Sequence, residues 1–228
     1  MSSSPSASTK THLVVVDPGT IKPELQSLNR LIRRSSLPIT YHLPGLFGLN
    51  SLNDESESIA GIIVFGSASS VNERTDWQKA LEAWLMPRIE KGTPFFGICY
   101  GHQMLANMFG GKVDFISADR KKFLGSRKVF LQANPLWGDQ PIEGNLCVSH
   151  CEIVTDCGSA LRVVGQSPEV KIEALHHPTL PVWSVQGHPE ATDCFLKNRG
   201  SGSSAALDFG HRLVDAFLRF ATTASKKA

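Results

Sequence analysis

Apolar residues along this chain follow two alternating rhythms. "HLVVVD" at 12–17 is an unbroken apolar run ending at an Asp-Pro-Gly turn, the pattern of a strand buried on both faces. Leu25, Leu28, Leu31 and Ile32 then recur at helical spacing. "LPITYHL" restores strand character, the polar "NSLNDESES" reads as a loop, and "IAGIIVFG" supplies a third buried strand. Trp77, Leu81, Trp84, Leu85 and Ile89 share one helical face, with Pro87 predicted to fray that helix at its end. "TPFFGIC" is a fourth strand, followed by a short helix from His102 to Phe109 that Gly110-Gly111 closes.

Strands alternating with helices predict an α/β fold, a mostly parallel central sheet with helices on both faces. Beyond residue 112 the rhythm changes. "RKVFLQ", "NLCVSH", "LRVVGQ", "VKIEAL" and "PVWSVQ" follow one another with turns between, which predicts a small antiparallel excursion. A last helix carries Leu207, Leu213, Val214, Phe217 and Phe220. "RGSGSSAAL" (199–207) has the glycine spacing of a dinucleotide loop. It follows a polar segment and has no acidic residue at ribose-binding distance, so it reads as a flexible loop. The Ser-rich start "MSSSPSASTK" has no apolar core and is expected to be a disordered tail over 1–10. Residues 11–224 are expected to form one domain, with a short tail at 225–228.

With 228 residues, 41% hydrophobic and 19% charged, the chain can bury a sizeable core. A formal net charge of +2 argues against nucleic acid or a membrane surface as partner, and no run is long enough to span a bilayer. No secretory signal is recognisable and the five cysteines are odd in number, which places the chain in a reducing, cytoplasmic compartment. "CVSHCEIVTDC" gathers Cys147, His150, Cys151 and Cys157, but their spacing fits no standard zinc pattern. They read as strand residues, and no metal is predicted. The basic cluster "DRKKFLGSRK" (119–128) reads as a solvated loop.

Candidate chemistry appears where "FFGICYGHQML" takes an apolar strand into a Gly97-Ile98-Cys99-Tyr100-Gly101 turn. In a parallel sheet, ligands sit beyond the carboxyl ends of the strands. A glycine–x–nucleophile–x–glycine turn lifts its central residue there, at the positive end of the next helix, where a thiolate is favoured. The Tyr100 N–H would point towards an oxyanion. A buried cysteine beside turn glycines is the plain packing alternative. A second strand, "VWSVQGHPEAT" (182–192), ends in His188-Pro189-Glu190. These residues supply the base that a thiol needs and the carboxylate that orients a base.

Together, "GICYGHQ" at 97–103 and "GHPE" at 187–190 resemble the class I, triad-type glutamine amidotransferase family, over roughly residues 11–220. "VFGSASSVNE" (64–73) resembles its oxyanion strand and loop, and "VSHCEIV" (148–154) the segment that cradles substrate glutamine. The resemblance implies a flavodoxin-like sheet and a Cys99 nucleophile, with His188 as base and then acid and Glu190 orienting it. Gly66 or Ser67 would form the oxyanion hole with Tyr100. Gln103, Ser149, His150, Cys151 and Glu152 would hold the ends of the substrate. It implies a glutamine or γ-glutamyl small-molecule substrate and no cofactor. The "QGHPE" form resembles a stand-alone branch that includes γ-glutamyl peptidases. Two alternatives are a glutaminase subunit feeding a separate synthase and a non-catalytic module that keeps the fold. Gly187, where the family commonly has an aromatic residue, predicts a more open cleft wall.

Overall fold

The structure, a computed structural model, describes residues 11–55, 58–199 and 204–226. The tail expected over 1–10 and the centre of "RGSGSSAAL" lie outside the described residues. The first half contains β1 (His12–Val16), α1 (Leu25–Arg34), β2 (Ile39–His42), the short α2 (Pro44–Phe47) and α3 (Asn50–Asn53), β3 (Ile59–Val64), α4 (Asp76–Glu90), β4 (Phe95–Ile98) and α5 (Tyr100–Met108). Strands dominate the second half: β5 (Lys112–Phe115), β6 (Phe123–Leu131), β7 (Ile142–His150), β8 (Glu152–Asp156), β9 (Arg162–Gln166), β10 (Ala174–His176) and β11 (Val182–Val185). Then come α6 (Asp193–Arg199) and α7 (Ser204–Ser225).

A nine-stranded sheet runs β2-β1-β3-β4-β11-β10-β9-β6-β7, and β5 pairs with β8 separately. From β2 to β11 all pairings are parallel, and from β11 onward all are antiparallel. The expected parallel sheet with an antiparallel excursion is therefore present, with a difference of detail. Four of the antiparallel strands extend the main sheet, and "PVWSVQ" belongs to its parallel part, beside β4. Burial explains that placement. Every residue of β11 is buried, as an interior strand covered on both faces requires, whereas β6 alternates exposed and buried positions.

Alternate residues of the parallel strands feed two cores. Leu13, Val15, Ile63 and Phe96 pack with α1 and α7 on one face. Val14, Val16, Ile62 and Phe95 pack with α4 and α5 on the other. The predicted last helix is α7, which buries Leu207, Leu213, Val214 and Phe217.

Four readings are corrected. Helix α4 runs through Pro87 to Glu90, and both Pro87 and Ala83, whose carbonyl the missing N–H would have met, are exposed. The "NSLNDESES" loop contains α3, anchored by the fully buried Leu52, whose carbonyl accepts from Trp84 Nε1 at 2.9 Å. "VKIEAL" is a strand only from Ala174. The basic stretch 119–128 is half strand, and its Arg127 is 3% exposed rather than solvated.

Candidate active site

Strand β4 delivers Cys99 to the carboxyl edge of the sheet, where its N–H donates to the Val185 carbonyl of β11 at 2.9 Å. Cys99 precedes α5 at φ +50°, left-handed backbone that a non-glycine residue rarely adopts. The two flanking glycines have a different duty. A Cβ on Gly97 would stand 2.5 Å from the Gly101 carbonyl oxygen, and one on Gly101 would stand 2.5 Å from that of Val64. They let β3, β4 and α5 close on one another, and the strained dihedral falls on the cysteine itself. Tyr100 opens α5, so its N–H belongs to the first turn, where no intrahelical acceptor exists.

Because β11 lies next to β4 in register, Val185 against Ile98, the turn after β11 meets the turn after β4. His188 is buried there and its Nδ1 meets Glu190 Oε1 at 2.8 Å. Its Nε2 is buried with no hydrogen-bond partner among the described residues. A Cβ on Gly66 would stand 2.7 Å from His188 Cε1 and 3.4 Å from Cys99 Cβ, so the imidazole and the nucleophile turn flank the same point of the loop after β3. Burial alone pulls the His188 pKa down. The charges of Glu190 and then Cys99 outweigh it and raise the ring to about 10, an imidazolium at neutral pH. Phe195 packs on that ring, centroids 4.8 Å apart. Gly187 leaves no opening, contrary to expectation. A Cβ there would stand 2.9 Å from Leu146 Cβ, so the backbone is pressed onto β7.

A cavity of about 180 Å³ opens at this edge, with Gly66, Ser67, Ser149, His188 and Glu190 on its wall. Cys99, 4% exposed, is not part of that wall. Lys22, Glu24, Lys122 and Phe195 also line an adjoining cavity of about 570 Å³. Asp17 organises the loop between them, accepting from the Gly19 and Glu24 N–H groups and from the Tyr41 hydroxyl.

The remaining expected residues build a corner behind the cavity. Gln103 Nε2 donates to the Glu152 carbonyl at 2.8 Å and lies 3.4 Å from Gln186 Oε1. His150 turns towards Arg127, and its pKa falls to about 3 through burial and then the Arg127 charge. The Cys151 carbonyl accepts from the Ile116 N–H at 2.8 Å, and Glu152 Oε1 accepts from Ser70 Oγ at 2.8 Å. Gln186, whose Nε2 lies 3.8 Å from Cys99 Sγ, was not singled out by sequence, although it sits in the "QGHPE" stretch. Phe195, Arg127 and Glu173 carried no local signal. Among the described residues, no group of three or more His, Cys, Asp or Glu is placed to hold a metal ion. No described helix is long and apolar enough to cross a membrane.

The family described as "Glutamine amidotransferase class-I" matches residues 9–194. A glutamine-hydrolysing GMP synthase subunit from Methanopyrus kandleri is 30% identical over 60% of this chain and 70% of its own. Its counterpart from Pyrococcus abyssi is 30% identical over 56% and 65%. The chain thus spans about two thirds of the length of these two subunits, and about a quarter of the longer GMP synthases it also matches. A crystal structure described as a putative GMP synthase subunit from Thermoplasma acidophilum superposes with a TM-score of 0.72 at 18% identity, covering 94% of this chain and 95% of that one, a likeness of fold. The matched span holds both the Cys99 turn and the His-Pro-Glu turn, and the chain belongs to the class-I glutamine amidotransferase family.

Proposed function

We propose that the chain hydrolyses the γ-amide of glutamine or of a related γ-glutamyl compound through a γ-glutamyl thioester on Cys99. One observation carries this reading. Cys99 sits at a left-handed turn ahead of α5 and flanks the same Gly66 as His188, whose Nδ1 is hydrogen-bonded to Glu190.

The Cys99 sulfur attacks the γ-carbonyl carbon, and the oxyanion faces the N–H groups of Tyr100 and of Gly66 or Ser67. His188 passes a proton to the departing nitrogen, which leaves as ammonia or an amine. Water, deprotonated by His188, then opens the thioester, releasing glutamate and restoring the thiolate–imidazolium pair. Glu190 holds the ring through Nδ1 and stabilises its charge. Ser149, on the cavity wall, takes a polar end of the substrate. Gln103, His150, Cys151 and Glu152 shape the corner behind it.

The adjoining 570 Å³ cavity offers room for a leaving group larger than ammonia, which supports a stand-alone γ-glutamyl hydrolase. The second reading, ammonia delivery to a separate synthase, is favoured by relatives that are themselves named synthase subunits. All five cysteines are free, which fits a reducing cytoplasm.

The deciding experiment assays purified chain against glutamine, glutathione and γ-glutamyl dipeptides, and labels it with a glutamine-mimicking diazo ketone. Glutamate release from the peptides supports the hydrolase. Turnover only on addition of a synthase supports the ammonia-delivery reading. A folded chain whose Cys99 takes no label would overturn both.

A further inference from the structure

Arg127 occupies an inward position of β6, opposite Leu146 of β7, where the alternation of the strand calls for an apolar side chain. Its Nε donates to Glu173 Oε1 at 2.5 Å and its Nη2 to His150 Nε2 at 2.9 Å. A guanidinium has donors only, so His150 Nε2 is the acceptor and the ring proton sits on Nδ1. That Nδ1–H donates to the Glu152 carbonyl at 3.0 Å, the oxygen that also accepts from Gln103 Nε2. Gln103 lies in the first turns of α5, its N–H bonded to the Cys99 carbonyl at 3.0 Å. The 150–152 corner is thus tied to the nucleophile helix through one carbonyl, and Arg127 on Nε2 joins that carbonyl on Nδ1 in fixing the tautomer and orientation of the ring. Glu173 reaches the other side of the site, because its main-chain carbonyl accepts from the Gln186 N–H at 2.8 Å.

The ion pair is poorly suited to stabilising the fold. Arg127 Nη1 and Glu173 Oε2 are buried and have no hydrogen-bond partner among the described residues. Replacing such a pair with apolar side chains of similar volume is often neutral or stabilising. Its location, one side chain behind the cavity corner, points to geometry instead.

We propose that Arg127, clamped by Glu173, is a positioning residue for substrate binding: it holds the His150 ring through Nε2 and so sets the Ser149–Glu152 corner against which the γ-glutamyl substrate binds. The inference rests on the proposed function of the Cys99 site.

The test uses the full chain with Arg127→Met/Glu173→Met, read by melting temperature, by the ¹⁵N shifts of the His150 ring, and by KM and kcat on the best γ-glutamyl amide. The expected result is an unchanged or higher melting temperature, a shift of the His150 Nε2 resonance as it loses its donor, and KM raised about tenfold with kcat within about threefold. Adding His150→Asn, whose amide nitrogen takes the place of Nδ1, should recover part of the KM. Arg127→Lys keeps the charge but lacks the fixed fork, and should show the same KM rise if the double variant fails to fold. An unchanged Nε2 shift, an unchanged KM, or a kcat that falls together with the melting temperature overturns the proposal. If the wild-type chain cleaves no γ-glutamyl amide, the functional reading itself has failed, and the Nε2 shift alone decides whether Arg127 sets the ring.

Discussion

Two strand ends of this molecule carry the same short pattern, a histidine two residues before a glutamate. After β11 it is His188 and Glu190; at the end of β7 it is His150 and Glu152. Both rings are buried, yet one is raised to about 10 and the other lowered to about 3. After β11 the chain turns, with the Ala191 N–H reaching the His188 carbonyl at 3.3 Å, and Glu190 folds back onto the ring. After β7 the chain bends at Cys151 and enters β8 of the second sheet. Glu152 offers the ring only its carbonyl and sends its carboxylate to Ser70, while Arg127 approaches from the other side. The spacing is common to both, and the sign of the partner's charge raises one ring and helps lower the other.

The harshest way to break the comparison is at the reacting pair. Under the proposed mechanism, Cys99→Ser and His188→Ala should each lower kcat by roughly 10⁴–10⁶, with circular dichroism unchanged, because members of a triad act as a unit. If His188→Ala retains most of its rate, the two strand ends do not differ as described. Glu190→Gln should cost less, about 10²–10⁴ in kcat. The carboxylate holds His188 protonated against its burial, so its loss moves the alkaline limb of kcat/KM downward from near 10. A limb that stays in place excludes Glu190 as the cause. Gly66→Ala sharpens the geometry. Its methyl would meet His188 Cε1 at 2.7 Å and should cost on the order of 10² in kcat through a displaced ring.

Stability should report the same opposition of sign. Folded His150 and His102 are both held near 3, so the unfolded chain takes up protons that the folded one refuses. Their contribution is complete above about 6.5 and is lost as pH falls, roughly 1–2 kcal/mol per histidine by pH 5. His188 behaves oppositely. Its contribution is complete below about 6.5 and is lost as pH rises through about 10. Thermal melts across pH should therefore fall on both flanks, and His188→Gln should flatten only the alkaline one. The smallest effect belongs to Glu152→Gln, which should change kcat/KM by less than about threefold and leave the alkaline limb untouched, because that carboxylate faces Ser70. An effect equal to that of Glu190→Gln would dissolve the distinction.

The legible parts of the chain were those in which neighbours in sequence are also neighbours in chemistry. The runs at 12–17, 59–66 and 95–99 appear as β1, β3 and β4 because strands buried on both faces are apolar without interruption. The glycines around Cys99 marked a tight turn because close backbone approach excludes a Cβ. Helix α6 and the strands β5 and β8 were not legible, since each is short and takes its support from elements distant in sequence. Arg127 was misread for a related reason. Within "DRKKFLGSRK" it resembles its neighbours, and Lys128, the next residue, is an exposed partner of Glu143. Only the pairing with β7 and the approach of Glu173 turn Arg127 inward.

By itself the sequence determined that this chain is an α/β protein, where its parallel strands lie, and which thiol, imidazole and carboxylate were worth comparing. Those are properties of short windows, in which side-chain polarity and backbone freedom act over a few residues. Tertiary structure decided that β11 inserts beside β4 and so carries His188 to the Cys99 turn. It also decided which of two identical His-x-Glu spacings holds a charged ring. Both outcomes depend on strand order and on the charge that burial brings near a group, and electrostatic fields act through space whatever the separation along the chain.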